Sequence, residues 1–567
     1  MASSFIYLDL IGHLGQVSTD TDAGGRAQRP VSTGARHLFG STYLLSVDLL
    51  NPVDGIVLAS LSEEAAGQEA ILPAVGRLSS RLRESLGAAL STLAPSEANL
   101  SKVSTPSLRA LQLYSQADQL FSEALPETAE ELLREAIAED PEFASSYTHL
   151  AWTLMYQDRP SEEYLPYAER ALELADRATV VERHFIRGSY YQMLSLSTQS
   201  DADGEAALAQ YRALLELEPG HFWAAHLAGD VLQDLGRGRE SLDLLLRLLD
   251  ARPNDVGIVS RVATAFVKVE GDLGRARSFV HRAEELQRDL PIRNSRWQPF
   301  LDFFPVHELW VLGDTEGVVR EIDRIVDSLG DRTAAEREDL VGYALENYLD
   351  LGMFRKAEEI QESYGSYPPY SWEGKMAWRR KDRDYLAKRA LRRRNTSAMG
   401  GRSRDAWGLA TLGLVEEADE ILAEIPEDTG LFAKRYALAA QGIVDAARQQ
   451  YETAIPNLEE AFDLFRYHDV LGQYFRIARS LSHAWRELGQ PERALEVLEE
   501  ASRQRPRLLH AHRNYWMEVQ LRLAELYRDL GRDQEALEIE DELRRYCAYA
   551  DPDFPILLEL ERLASTD

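Results

Sequence analysis

From about residue 105 almost to its end, the chain repeats apolar positions at the three-and-four spacing of amphipathic helices. Short turn signals interrupt that spacing again and again. Seven glycines each follow an apolar helix end, and five residues later stands a small or compact residue. The pairs are Gly236 with Ser241, Gly271 with Ala276, Gly313 with Val318, Gly352 with Ala357, Gly413 with Ala418, Gly489 with Ala494 and Gly531 with Ala536. Several share one wording: Asp-Leu-Gly-Arg at 234–237 and 529–532, Asp-Leu-Gly-Met at 350–353, Glu-Leu-Gly-Gln at 487–490. A glycine closes a helix in the left-handed conformation without a Cβ penalty, and a small residue one turn into the next helix lets the two helices approach. This predicts a succession of αα-hairpins.

Prolines give a second mark. Pro141, Pro219 and Pro253 each follow an apolar helix end, and the last two lie 34 residues apart. Proline cannot donate into a further turn, so it stops a helix. Ala136, Ala171, Leu214, Leu248 and Ala283 keep register at steps of 35, 43, 34 and 35 and are the predicted core positions. The step of 43 contains the polar insertion Ser195 to Gly204, predicted as a longer surface loop.

The first hundred residues differ. Phe5 to Ile11 is a short apolar run, and Asp20 to Thr33 reads as a polar loop. Tyr43 to Leu50 and Gly55 to Ser60 flank Asn51-Pro-Val-Asp-Gly55, which predicts a hairpin. Ile71, Leu72, Val75, Leu78, Leu82 and Leu86 then predict an amphipathic helix. Residues 1–100 are therefore a small α+β module.

A 34-residue period of paired helices with these marks resembles the tetratricopeptide repeat. Residues Trp223 to Pro253, with Gly229, Gly236, Ser241 and Leu248 between them, carry the resemblance best, although the early Trp and Tyr of the consensus are missing. It covers about 106–290 well, 300–425 loosely and 430–546 moderately, and the helical region divides accordingly into 106–290, 291–428 and 429–567. The fold class that follows is mainly α: a tetratricopeptide-like αα superhelical solenoid preceded by a small α+β N-terminal module. The resemblance implies a concave face lined by the first helix of each pair. Independently of the family, each pair has an apolar stripe that only a neighbour can bury. The segment Asp551-Pro-Asp-Phe-Pro-Ile-Leu-Leu-Glu-Leu560 reads as a capping helix.

The order of Leu72–Gly87, Val103–Ser115, Ala136–Tyr147 and Val181–Arg187 also resembles the C-terminal region of bacterial tetratricopeptide-containing serine/threonine kinases and related regulators. In those proteins a module similar to the TolB amino-terminal domain leads into the repeats. The chain has no Gly-rich phosphate loop, His-Arg-Asp loop or Asp-Phe-Gly, so kinase activity is not carried over. The resemblance implies a bacterial sensor or adaptor in signalling or transcription.

Composition narrows the chemistry. Across 567 residues, 63 Lys+Arg stand against 94 Asp+Glu, a net charge of −31. That argues against a general binder of nucleic acid or anionic membranes, which needs a basic face. Apolar residues at 45% and charged residues at 28% are those of a folded protein. The lone Cys547 excludes an intrachain disulfide and multi-cysteine metal sites. No run of 18 apolar residues predicts a membrane span, and the N-terminus lacks the basic start of a secretory signal. The expected location is cytoplasmic, or extracytoplasmic only within a longer membrane-anchored regulator.

No catalytic, metal or cofactor constellation emerges. His221 and His226 are five apart and His510 and His512 two apart, neither being the three or four that put two imidazoles on one helix face. Phosphate-loop, dinucleotide and nucleophile-elbow motifs are missing from the sequence. The reading is a non-enzymatic scaffold for protein–protein interaction. If the repeat register holds, Trp152, Met155, Trp223, His226, Asp230, Gln233, Thr264 and Lys268, with Ser260 and Val267, project from first helices and would hold a protein or peptide in the concave groove; packing between repeats is the alternative reading of Trp152 and Trp223.

One anomaly is electrostatic. Residues 375–404 hold twelve Lys/Arg and two Asp, +10, so the remainder sums to −41. Two readings are open. Arg379, Arg380, Lys381, Lys388, Arg389, Arg392, Arg393 and Arg394 form a patch for an acidic or other anionic partner, or they pair with the acidic repeats around them. A competing function is a ligand or enzyme pocket in 290–425 built from Trp297, Trp310, Trp372, Trp378 and Trp407.

Overall fold

The left-handed glycines set the architecture of the computed structural model. At Gly236 (φ 74°) the Arg237 N–H reaches back to the Leu232 carbonyl at 2.7 Å, and the Gly236 N–H reaches that of Gln233 at 2.9 Å. This double bond satisfies carbonyls that a helix end leaves open and reverses the chain. The other six glycines also have positive φ, and five of them repeat the same pair of bonds. Ser241, Ala276, Val318, Ala357, Ala418, Ala494 and Ala536 are each at most 1% exposed, so the compact residues do sit where helices meet.

The structure describes residues 31–39, 42–50, 57–66, parts of 70–81, 105–122, 126–157, 159–198, 200–288, 298–332, 334–365, 369–393, 406–425, 431–466, 471–509 and 512–564. A three-stranded antiparallel sheet in the order β1 (Val31–Phe39), β2 (Thr42–Leu50), β3 (Val57–Ala66) comes first. The predicted hairpin is β2–β3. Strand β1 is an addition, and it begins inside the stretch read as a loop up to Thr33. Leu45 and Ala65 are buried, as are Ile71, Ala74 and Leu78 on the helical turns that follow. Arg77 and Arg81 both reach Glu63 at 2.9 Å and tie those turns to β3. Phe5 to Ile11 and Leu82 to Leu86 lie outside the described residues.

The helices then pair: α1 (Leu108–Ser122) with α2 (Pro126–Glu139), α3 (Ala144–Tyr156) with α4 (Ser161–Leu174), α5 (Val180–Thr198) with α6 (Asp201–Leu217). They continue as α7 (Phe222–Asp234) with α8 (Gly238–Ala251), α9 (Val256–Ala265) with α10 (Leu273–Arg288), α11 (Gln298–Leu312) with α12 (Thr315–Asp327), and α13 (Ala334–Asp350) with α14 (Phe354–Tyr364). Next come α15 (Pro369–Arg379) with α16 (Arg383–Arg393), and a helical segment at 406–411 with α17 (Val415–Leu422). The last pairs are α18 (Leu431–Ala447) with α19 (Tyr451–Phe465), α20 (Leu471–Glu487) with α21 (Pro491–Ser502), and α22 (Arg513–Asp529) with α23 (Asp533–Tyr546). The predicted cap is α24 (Pro555–Ala564). The chain is thus mainly α, a tetratricopeptide-like array behind a small sheet.

Two of the described left-handed turns within pairs use another residue in place of glycine. Lys381 (φ 55°) and Gln449 (φ 61°) take the left-handed position between α15 and α16 and between α18 and α19. The predicted loop Ser195 to Gly204 is instead helical on both sides, since α5 runs to Thr198 and α6 starts at Asp201. The extra residues lengthen the helices, which keeps their backbone groups bonded.

Chain contacts divide the molecule into two units. The first comprises residues 1–194, 205–228 and 285–293. Its helices stack by the predicted register, with Ala136, Ala171 and Leu214 all at most 1% exposed. Gly188 of α5 lies under the Tyr211 ring of α6, where a Cβ would stand 2.6 Å from a ring carbon.

The second unit holds the remaining residues. An open solenoid has contacts between neighbouring repeats only. Here pairs far apart in sequence meet. Arg507 donates to the Lys268 carbonyl at 2.6 Å, Pro506 O lies 2.9 Å from His307 Nε2, and Arg505 donates to the Trp310 carbonyl at 2.6 Å. Lys268 belongs to a widened π turn, Phe266–Glu270, that ends α9. Helix α22 is enclosed by this closure, with thirteen of its seventeen residues buried, among them the polar Arg513, Asn514, Glu518 and Gln520. Three of these find side-chain partners inside the unit: Arg513 on Asn347, Glu518 on Lys381 at 3.2 Å, and Gln520 on Ser502 Oγ at 2.6 Å.

Candidate functional site

The eight groove candidates fall into two sets. In the first unit, Trp152 is 6% exposed, and its indole N–H is buried without an acceptor. Met155 and Trp223 are half-buried, and His226 is buried and stacked on Phe222 at 5.7 Å. The sequence reading missed the rings that join them. Phe121 on α1 lies 5.3 Å from Tyr156 and 6.5 Å from Trp223, and Trp152 lies 6.0 Å from Tyr156. His149 sits edge-on to Phe121 at 5.2 Å and to Tyr114 at 5.5 Å. Three first helices, α1, α3 and α7, thus contribute to one aromatic strip. Tyr156, at 41% exposure, is its open member. The spacing His149, Trp152, Tyr156 was a legible signal, because three and four residues share a helix face.

The second set points to partners within the second unit. Asp230 is bound by Arg261 at 2.7 Å, the Gln233 amide donates to Ser241 Oγ at 3.4 Å, and Thr264 donates to the Ser260 carbonyl at 3.0 Å. Lys268 is half-buried, and its carbonyl holds Arg507.

The basic segment does not behave as one surface. Arg379 is buried against Glu346 and Asp350, both at 2.9 Å. Burial opposes its charge, but those two carboxylates outweigh it and hold the guanidinium above its ordinary range. Lys375 also pairs with Glu346. Arg380 reaches Asp553 at 3.1 Å, and Lys381 reaches Glu518 at 3.2 Å. Lys381 is pulled down to about 8, first by burial and then by Arg479 nearby. Lys388 is exposed. The side chains of Arg389, Arg392, Arg393 and Arg394 lie outside the described residues.

The tryptophans of 290–425 have separate ring partners. Trp310 is fully buried with Trp516 at 5.4 Å and Tyr546 at 5.8 Å. Trp407 packs on Tyr436 at 6.1 Å, and Trp372 is partly buried against the same large core. Trp297 and the Trp378 side chain lie outside the described residues. Cys547 is buried, and burial pushes its thiol up to about 12.

A cavity of about 390 Å³ opens in the second unit, and no sequence signal pointed to it. Arg476, Arg479, Arg486 and Arg522 line it with His483 and a single acid, Glu525. These residues come from α20, α22 and their surroundings, so only tertiary packing brings them together.

No protein-family model matches the chain, and no curated protein matches its sequence. Solved structures do. The human IFIT1 dimer with m7Gppp-AAAA is 15% identical, over 77% of this chain and 89% of its own, at a TM-score of 0.33. A tetratricopeptide repeat protein from Parabacteroides merdae is 18% identical, over 48% of this chain and 98% of its own, at a TM-score of 0.29. A MamA RS-1 double mutant is 15% identical, over 32% and 95%, at a TM-score of 0.23.

Proposed function

We propose that this chain is a non-catalytic helical-repeat scaffold that holds a protein or peptide partner against the first helices of its N-terminal repeats. The aromatic strip carries the reading. Phe121, Trp152, Tyr156 and Trp223 line up across α1, α3 and α7, with Tyr156 open to solvent. Rigid rings with few rotatable bonds lose little entropy on binding and recur as anchors of interfaces. The sequence order resembling kinase-linked repeat regions supports a sensor or adaptor role in a bacterial signalling or transcriptional system.

The test compares wild type with Tyr156→Ala and Trp223→Ala in affinity capture from a native lysate, with melting temperature as the folding control. One retained protein should be lost from both variants while melting of Tyr156→Ala is unchanged. Equal capture by all three proteins removes the strip from this function.

A further inference from the structure

Within the acidic chain, the cavity of the second unit has a wall dominated by arginine. We propose that this cavity, between α20, α21, α22 and residues 410–411, binds a small organic oxyanion: a phosphate or carboxylate head group on an apolar body. The residues involved differ from those of the aromatic strip, so the proposal stands independently of the scaffold reading.

Charge is the first argument. Four arginines face the cavity against one glutamate. The carboxylates that bind these arginines from elsewhere, Glu518 on Arg479, Glu559 on Arg522 and Asp529 on Arg486, are not part of the lining. Within the lining, Glu525 pairs with Arg522 at 2.6 Å. Arg476 and Arg479 are lowered to about 10, by burial first and, for Arg479, next by Arg522 and Arg476. Both therefore stay cationic at neutral pH, and an arriving anion relieves crowded like charge.

Preorganisation is the second argument. Arg476 lies over the Trp407 ring at 3.8 Å and donates to Thr411 Oγ1 at 2.5 Å, which fixes its planar fork. Arg479 Nε is recessed and donates to no acceptor, although 28% of that side chain remains accessible. A guanidinium held this way matches two oxygens of a phosphate or carboxylate.

The third argument concerns the body of the ligand. Ala410, Ile443, Leu498 and Leu526 supply apolar lining beside the charges. A bare inorganic ion leaves that lining wet, whereas an aromatic or aliphatic group covers it.

Calorimetric titration of the full chain with phenyl phosphate, benzoate and inorganic phosphate tests the site. At least one of the two aromatic anions should bind one-to-one, at least tenfold tighter than inorganic phosphate. The tighter of the two identifies the head group. Affinity should fall at least tenfold in Arg476→Gln, and also in Arg486→Gln at a side chain 46% exposed, with melting temperature as the folding control for both. Absence of binding by both aromatic anions at millimolar concentration overturns the proposal, as does unchanged affinity in both variants.

Discussion

The ring of Phe554 lies against the α-carbon of Gly352, so that a Cβ at that glycine would meet Phe554 Cγ at 2.3 Å. Gly352 is left-handed (φ 74°), and its carbonyl accepts the Asp551 N–H at 2.8 Å. A turn between two helices is therefore also the seat of the C-terminal cap. Gly352→Ala should lose about 1–2 kcal/mol for the left-handed backbone and about 1–3 kcal/mol more for overpacking. Gly489→Ala, at φ 72° with nothing within 4 Å, should lose only the first part. Urea denaturation of the two variants measures the difference. Equal losses would show that Phe554 moves aside freely.

Asp350 is fully buried and binds both Arg379, at 2.9 Å, and the backbone N–H of Arg513, at 3.0 Å. Its removal leaves the buried Arg379 with Glu346 alone and uncouples α15 from α22. Asp350→Ala should lose about 3–5 kcal/mol, and Arg379→Met in the same chain should restore part of it. Additive losses in the double variant would show that the two side chains act separately.

Glu346 extends this network to acid. Burial opposes its charge, yet Arg379 and Lys375 outweigh burial and hold its carboxyl below the ordinary 4.5. A depressed carboxyl contributes stability above its unfolded pKa and loses it as pH falls further. Stability should therefore drop below pH 4.5, and Glu346→Gln should flatten that limb in denaturation curves taken across pH. An unaltered limb would remove Glu346 from the acid response.

His149 acts in a higher window. It is 8% exposed among Tyr114 and Phe121, and burial keeps its imidazole below 6.5 although Asp118 pulls the other way. The folded state holds it neutral while the unfolded chain takes a proton. Its contribution is complete above pH 6.5 and declines as pH falls beneath that value. His149→Phe should shrink the decline between about pH 6.5 and 5. Half-buried His512, also lowered chiefly by loss of hydration, keeps the remainder. A decline of wild-type size in His149→Phe would contradict this.

Cys547 is 4% exposed, with its thiol raised to about 12 by burial. A disulfide-exchange reagent at pH 8 should leave it unmodified in the native protein and react fully once the chain is unfolded. Rapid stoichiometric reaction without denaturant would refute the buried assignment.

Much of the fold was written locally. A left-handed turn depends on one residue and its immediate neighbours, so Gly236, Gly313 and Gly531 announced their hairpins. Lys381 and Gln449 make the same turn without glycine and went unread, because neither residue type marks a left-handed position. Ala136, Leu214 and Ala283 were legible as core for a similar reason: the helix period alone puts them on one face.

The sites were less legible. Trp152 and Trp223 were found, but Phe121 and Tyr156, which complete their strip, required the stacking of α1 on α3 and α7. Arg379 looked like a surface charge in a basic run, and its burial on Asp350 depends on a helix that ends 29 residues earlier. What the sequence determined by itself was the glycine-marked helix ends and the inward face of the regular pairs, since those follow from short-range sterics and periodicity. Only the tertiary structure decided that α22 would be enclosed, that Asp350 would meet Arg513, and that four arginines would line one cavity. Those outcomes depend on how distant pairs close on one another, and no local pattern encodes that closure.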